Sequence, residues 1–216
     1  MFGRKSRRAA EPTPSQSEGE GPEEGSAAAA EDAPPAQGPV DSAAADEETA
    51  RVDLGALRIP AELPGMELRL QVDQASEQVQ SVLLAGADGA AELLAFAAQR
   101  HGDLWSEVID SIAADVSQRG GTVDRRDGRF GIELLTRMPV TLADGKAGFQ
   151  PTRIAGINGE RWMLRVSFLG RAALEPEVFD RWDDVLDGIV VHRGNLAMPP
   201  GERLPLTMPP GASPVS

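Results

Sequence analysis

Apolar and polar residues alternate along the middle of this sequence, and that alternation restricts the fold more than any other feature. In MELRLQVD, residues 66–73, every second residue is apolar. The same period of two recurs further along, in RFGIELLTRMPVTLA, KAGFQPTRIAGI and ERWMLRVSF. Because successive side chains of an extended chain point to opposite sides, the pattern predicts antiparallel strands with one buried face and one wetter face.

Four short pairs punctuate these segments and predict tight turns between neighbouring strands. Asp and Asn followed by Gly tolerate the positive φ angles that hairpin turns require. The pairs are Asp88-Gly89, Asp127-Gly128, Asp144-Gly145 and Asn158-Gly159.

Two segments have helical periodicity instead. In DLWSEVIDSIAADVSQRGG, apolar residues recur every three or four positions, with Asp103 as the predicted N-cap and Gly120-Gly121 as the end. In EPEVFDRWDDVLDG, Pro176 suits the first turn and Gly188 ends the helix. The segment IVVHR then predicts a short last strand.

This order of elements predicts an α+β fold, a mostly antiparallel sheet covered by two main helices. Too few helices are present for the crossovers of a doubly wound parallel sheet. The large apolar side chains of the strands and helices predict the core, and its structural residues are Trp105, Trp162, Phe168 and Trp182.

The two ends of the chain differ in composition from the segment between them. Residues 9–50 contain eleven acidic residues and no Lys or Arg, behind the basic start MFGRKSRR. Such a segment buries too little apolar surface to offset the entropy of ordering it, so residues 1–50 are predicted to form a disordered arm. The α+β domain is predicted at 51–194, and 195–216 as a Pro-rich extended tail that docks in part.

Arginines interrupt the apolar pattern of the last two long strands and raise the question of an anion site. A two-residue turn at Asn158-Gly159 would pair Ile154 with Met163 and place Arg153 beside Leu164 on the apolar face. Burial of Arg153 then requires a carboxylate partner, unless the loop is longer. An arginine cluster on the sheet could hold an anion bidentately, and its candidates are Arg137, Arg153, Arg161, Arg165 and Arg171. The alternative, which we favour, is a solvated sheet face whose arginines pair with nearby acids.

No familiar catalytic motif is present in the sequence. The chain has no cysteine and two histidines, His101 and His192, neither at ligand spacing. The string DDVLD matches the DDxxD motif that holds magnesium in prenyl-transfer enzymes, with Asp183, Asp184 and Asp187 as the aspartates. Those enzymes are larger and all-helical, so the aspartates are better explained as the wet side of an amphipathic helix. No cofactor and no metal site are predicted.

The charge balance favours a protein partner. The formal net charge is −13, so the phosphate attraction that dominates nucleic-acid binding is missing. No apolar run reaches the length of a membrane helix, and an acidic stretch follows the basic start where a signal peptide would be apolar. We therefore expect a cytoplasmic, non-enzymatic interaction or assembly module, with no stable membrane association. The alternative is a small anionic-ligand binder or enzyme that uses the arginines.

Three blocks of the sequence resemble an actinobacterial family known only as a domain of unknown function. They are RVDLGALRIPAELPGMELRL, PTRIAGINGERWMLRVSFLGRAAL and DVLDGIVVHRG. The resemblance implies a cytoplasmic bacterial protein and no particular activity. More loosely, the Trp-bearing strand followed by a helix and IVV is similar to PsbP-like α/β/α sandwiches, which are usually binding or assembly modules.

Overall fold

The computed structural model describes residues 38–209, which belong to one compact unit. Most of the predicted acidic arm (residues 1–37) and the last residues of the predicted tail (210–216) lie outside the described residues.

Eleven strands, two α-helices and two short 3-10 helices (Arg171–Ala173 and Pro176–Val178) make up the regular structure of residues 38–209. The strands form a four-stranded sheet and a seven-stranded sheet. In chain order they are β1 (Val40–Asp41), β2 (Arg51–Asp53), β3 (Leu57–Pro60), β4 (Met66–Val72), β5 (Val79–Gly86), β6 (Gly89–Ala97), β7 (Thr122–Gly128), β8 (Gly131–Thr141), β9 (Ala147–Asn158), β10 (Trp162–Gly170) and β11 (Val190–Val191). The helices are α1 (Leu104–Gln118) and α2 (Phe179–Asp187).

The large sheet confirms the predicted antiparallel architecture. Its strand order is β4-β5-β6-β10-β9-β8-β7, and every neighbouring pair is antiparallel. The small sheet, in the order β1-β11-β3-β2, contains the one parallel pair among these ladders, β1 with β11. The fold is therefore α+β, as the sequence predicts.

Alternate residues of β10 feed two separate cores on opposite faces of the large sheet. Trp162, Leu164, Val166 and Phe168 join the larger core, which includes α2 and the small sheet. Met163 joins the smaller core, which α1 covers. All four predicted core residues are buried, with Trp105 at 4% exposure and Trp162, Phe168 and Trp182 at 2% or less.

The predicted turn register at Asn158-Gly159 is wrong. Met163 pairs with Asn158, and the amide of Gly159 bonds the Trp162 carbonyl at 2.8 Å, so the turn lies at Glu160-Arg161, two residues later. Gly159 is needed for a different reason, because a Cβ there would overlap the Trp162 ring. The shift is an even number of residues, so the faces of both strands stay as predicted, and Arg153 lies opposite Phe168 instead of Leu164.

Helix α1 begins and ends where its capping residues predict. The Asp103 side chain accepts a hydrogen bond from the amide of Ser106 at 3.0 Å, and Gly120 follows the helix with φ of 79°. The indole of Trp105 lies directly on Gly156 of β9, where no Cβ fits, and its Nε1 donates to the Ile132 carbonyl at 2.7 Å.

The folded unit includes residues on both sides of the interval 51–194. Strand β1 pairs with β11, and its Asp41 carboxylate accepts a 3.1 Å hydrogen bond from Trp162 Nε1. At the other end, the amides of Ala97 and Leu204 bond the carbonyls of Glu202 and Ala95, so part of the predicted tail runs alongside β6.

Trp162 on β10 packs in the larger core, bonds Asp41 of β1 and lies against Gly159. It is therefore a sensitive probe of the larger core. Replacing Trp162 with Ala is expected to reduce the free energy of unfolding by about 3–5 kcal/mol, because a large buried ring is lost. The Phe variant keeps most of the apolar volume and loses the bond to Asp41, so it is expected to cost less. Urea denaturation of both variants checks this. A loss below about 1 kcal/mol for the Ala variant would place the ring outside a packed core.

Candidate functional site

The five arginines predicted as an anion cluster lie in different environments. Arg137 is exposed and pairs with Asp124 at 3.4 Å, while Arg171 pairs with Asp88 and Glu175 at 2.8 and 2.7 Å. Arg161 lies in the β9–β10 turn. Arg153 and Arg165 fall on opposite faces of the large sheet, because they occupy opposite positions in the alternation of β9 and β10. The structure therefore does not bring the five guanidinium groups together.

Arg153 is the most unusual of them, because it lies inside the larger core. Its guanidinium carbon is 3.9 Å from the centre of the Phe168 ring and 3.8 Å from that of Phe179. A carboxylate oxygen of Glu133 on β8 lies 3.5 Å from one of its nitrogens, and both side chains are less than 5% exposed. The carboxylate partner that burial of Arg153 requires is therefore Glu133.

Further charges surround this pair and form a charge cluster of three arginines and three acids. Its members are Arg126, Arg129, Glu133, Arg153, Asp183 and Asp187. Arg126 lies 3.9 Å from Glu133, and Arg129 pairs with Asp183 at 3.6 Å and with Asp187 at 2.6 Å. Arg129 thus forms ion pairs with two of the three aspartates of the DDVLD string. Within residues 38–209, no three metal-ligating side chains gather into a group.

Burial controls the protonation of this cluster. Burial raises the pKa of Glu133, although Arg153 and Arg126 act to lower it. Burial likewise raises the pKa of Asp183 and lowers the pKa of Arg153, against the attraction of their partners. Desolvation therefore outweighs the ion-pair attraction, which is the usual balance for a buried pair.

Several buried polar atoms of the cluster lack a hydrogen-bond partner among the described residues. They are Arg126 Nη2, Glu133 Oε1, Arg153 Nε and Nη2, and Asp183 Oδ1. The nearby Trp182 Nε1 is also buried without such a partner. Perturbed carboxyl groups of this kind are typical of functional sites. Here, however, the neighbouring side chains are rings and charges already paired with one another. Two shallow surface depressions of the described residues, about 440 and 430 Å³, are lined by other residues.

A Ser-His contact is the nearest approach to a nucleophile with a base. Ser42 Oγ lies 2.9 Å from His192 Nδ1, beside one of the shallow depressions. Among the described residues, no carboxylate hydrogen-bonds to His192, so the third member that orients a catalytic imidazole is missing there. The contact ties β1 to the residue that follows β11.

Two exposed apolar side chains, Phe149 and Leu142, lie on the β8–β9 hairpin. Strand β7 pairs with β8 only up to Arg137, and β10 pairs with β9 only from Thr152, so residues 138–151 project beyond both neighbours. We call these residues the hairpin tip. Phe149 is 64% exposed and Leu142 is 46% exposed. A protein surface can hold single exposed apolar residues, so these two are informative only because both lie on one projecting segment.

Comparison with protein families assigns the chain. Residues 38–214 match a family described as "Protein of unknown function (DUF3710)". The chain belongs to the DUF3710 family. The expected membership of a family of unknown function is thereby confirmed. Comparison with curated proteins gives no significant match. Among residues 38–209 of this DUF3710 protein, no helix has the length and apolar character needed to cross a membrane.

Sequence reasoning missed three of the six members of the charge cluster, Arg126, Arg129 and Glu133. Glu133 is separated from Arg153 by nineteen residues, and it looks like an ordinary outward-facing residue of an alternating strand. One local signal was available: Gly128 lies opposite Gly131 at the end of the β7–β8 hairpin, and a Cβ on Gly128 would overlap the Glu133 carboxylate. Asn158 was assigned to a turn, but its side chain bonds Asp103 at 2.7 Å and the Trp105 amide at 3.3 Å.

The Arg153–Glu133 pair can be tested by removing one partner or both. Replacing Arg153 with Met is expected to lower the free energy of unfolding by about 3–5 kcal/mol at neutral pH, because Glu133 stays buried without its partner. Adding Glu133→Leu is expected to recover most of that loss, because buried ion pairs exchange for apolar side chains at little cost.

Urea denaturation measures both variants, with Arg137→Met as the control. The Arg137 ion pair is exposed, so its loss is expected to cost less than about 1 kcal/mol. Equal destabilisation by the single and the double variant would contradict a buried ion pair.

The raised pKa of Glu133 predicts a pH dependence with a definite sign. The folded protein holds the Glu133 proton at pH values where the unfolded chain has released it. Stability therefore falls as pH rises from the ordinary value of 4.5 through the folded-state pKa. Asp183 acts in the same direction from its ordinary value of 3.8.

Glu133→Gln is therefore expected to flatten the decline in unfolding free energy that begins above the ordinary pKa of 4.5. Asp144→Asn is the matched control. Hydrogen bonds from Lys146 lower the pKa of this exposed group, so its contribution is lost only below 3.8. Parallel curves for the wild type and Glu133→Gln would show that Glu133 does not carry a raised pKa.

Proposed function

We propose that this DUF3710 protein is a non-enzymatic interaction module that docks on a protein partner through its hairpin tip. The observation that carries the proposal is the Phe149 ring, 64% exposed on a hairpin that extends past both neighbouring strands. Phenyl rings that enter a partner's pocket dominate the energetics of many protein interfaces.

The backbone of the hairpin tip favours docking by side chains over strand addition. Pro139 lies on β8 and Pro151 on β9, each next to the unpaired part of its strand. Proline removes a backbone donor, and edge strands carry it to prevent pairing with other chains. The partner is therefore expected to offer a pocket for Phe149 and Leu142, which lie on the same projecting segment.

Two observations support a role without chemistry. The two carboxyl groups with raised pKa values, Glu133 and Asp183, lie at the packed contact between the large sheet and α2 and pair with arginines. The exposed His192 bonds a serine but no carboxylate within residues 38–209. The looser sequence resemblance to PsbP-like sandwiches agrees with a binding or assembly role, and the family resemblance favours the cytoplasm of an actinobacterium.

Photo-crosslinking from the hairpin tip tests this proposal directly. A photoreactive amino acid replaces Phe149 in the full chain and, as a control, replaces Leu196, which is 67% exposed elsewhere. Crosslinking in native cells is expected to give a discrete partner from position 149 and none of that partner from position 196.

The double variant Phe149→Ser with Leu142→Ser is expected to weaken binding of that partner at least roughly 30-fold, which corresponds to about 2 kcal/mol for a central contact. Its unfolding free energy is expected to stay within about 0.5 kcal/mol of the wild type, because both side chains are exposed. Leu196→Ser is the matched control. Equal partner binding by both variants would remove the hairpin tip from the interface.

A further inference from the structure

A pair of arginines on the other face of the large sheet lacks the acid partners that most arginines of this chain have. Of the sixteen arginines in residues 38–209, twelve have a described carboxylate within 4.0 Å. The other four are Arg161, Arg165, Arg193 and Arg203. Two of these, Arg165 and Arg203, lie on the same face of the sheet on either side of Phe96.

The strand register brings Arg165 and Arg203 to the two sides of Phe96. Arg203 lies opposite Phe96 in an isolated antiparallel bridge, so both side chains emerge on the same face. Arg165 on β10 lies opposite Leu94, two residues from Phe96 on β6, and therefore shares this face as well. Its guanidinium carbon is 5.5 Å from the centre of the Phe96 ring.

The positive charge of Arg203 acts on the guanidinium of Arg165. Burial is the main cause that lowers the pKa of Arg165, and the charge of Arg203 lowers it further, while Glu92 on the same face opposes both. Arg165 Nε is buried without a hydrogen-bond partner among the described residues. Arg203 donates one bond, to the amide oxygen of Gln80 at 3.3 Å, which leaves most of its donors free.

We propose that Arg165 and Arg203 form a binding site for a phosphate group, with the Phe96 ring as its apolar wall. Two positive charges against one Glu92 leave a positive excess that an anion neutralises. A guanidinium offers parallel N–H donors to two oxygens at once. A phosphate has enough oxygens to accept hydrogen bonds from both guanidinium groups. A carboxylate has only two oxygens, and one bidentate arginine engages both of them. The source is either free phosphate or the phosphate of a nucleotide.

Thermal unfolding of the full chain, with inorganic phosphate and AMP in separate arms at equal concentration, tests the site. At roughly ten times Kd, the melting temperature is expected to rise by about 3–6 °C relative to chloride of matched ionic strength. A larger rise with AMP identifies a nucleotide as the source, and an equal rise identifies the phosphate group alone. Both results support the site.

Arg165→Gln and Arg203→Gln are each expected to abolish the rise. Arg119→Gln is the control, because Arg119 is exposed and pairs with Asp115 on its own helix. Without phosphate, Arg203→Gln is expected to melt no lower than the wild type, because repulsion is relieved. Arg203 is exposed, so this variant reports on the site even where Arg165→Gln fails to fold. No rise in the wild type, or the same rise in all variants, would overturn the proposal.

Discussion

Burial of one guanidinium holds the layers of this structure together. Arg153 lies on β9, Glu133 on β8, Phe168 on β10 and Phe179 at the start of α2. The guanidinium thus touches both neighbouring strands and the helix above them through an ion pair and two rings. The cost of desolvating the two charges offsets much of their electrostatic attraction. This contact therefore fixes the relative positions of the strands and the helix more than it adds to the free energy of unfolding. A slip of one residue in β9 would turn Arg153 to the other face and leave Glu133 buried alone.

The same arrangement is the physical reason why we propose a function at the surface of the protein. A buried carboxyl group with a raised pKa could act as a general acid or base, but such a group must also lie within hydrogen-bond reach of the substrate. Here α2 covers the group, and Arg129 holds that helix through Asp183 and Asp187. We propose binding at two features, the apolar hairpin tip and the arginine pair beside Phe96, which lie at different strands of the large sheet.

The sequence predicts the elements well because local patterns determine them. The period of two gives the strands, and the apolar stripes with Asp103 and Gly188 give the helices. It predicts contacts poorly where they join distant segments. Trp162 bonds Asp41, which is 121 residues away, and nothing in the composition of the acidic segment around Asp41 distinguishes it. The turn after β9 is misplaced for a similar reason, because Gly159 serves the Trp162 ring instead of a positive φ angle.

The candidate site shows the same division. Alternation correctly places Arg153 on the apolar face and requires a carboxylate for it, but the partner depends on the register of two further strands. The anion cluster was predicted from proximity in sequence, whereas a sheet distributes such residues over two faces and pairs them with whatever acids lie across the strands. The pair Arg165 and Arg203 depends on a C-terminal segment that returns to β6, which no local pattern indicates.

The most direct test of this account is the titration of the Glu133 carboxyl carbon by NMR. The enclosed charge cluster predicts a pKa above the ordinary 4.5, because burial disfavours the charged carboxylate of Glu133. It also predicts a further rise in Arg153→Met, because the nearest positive charge is removed. A midpoint at or below 4.5, unchanged by that substitution, would mean that water reaches Glu133 and that the enclosed charge cluster does not exist.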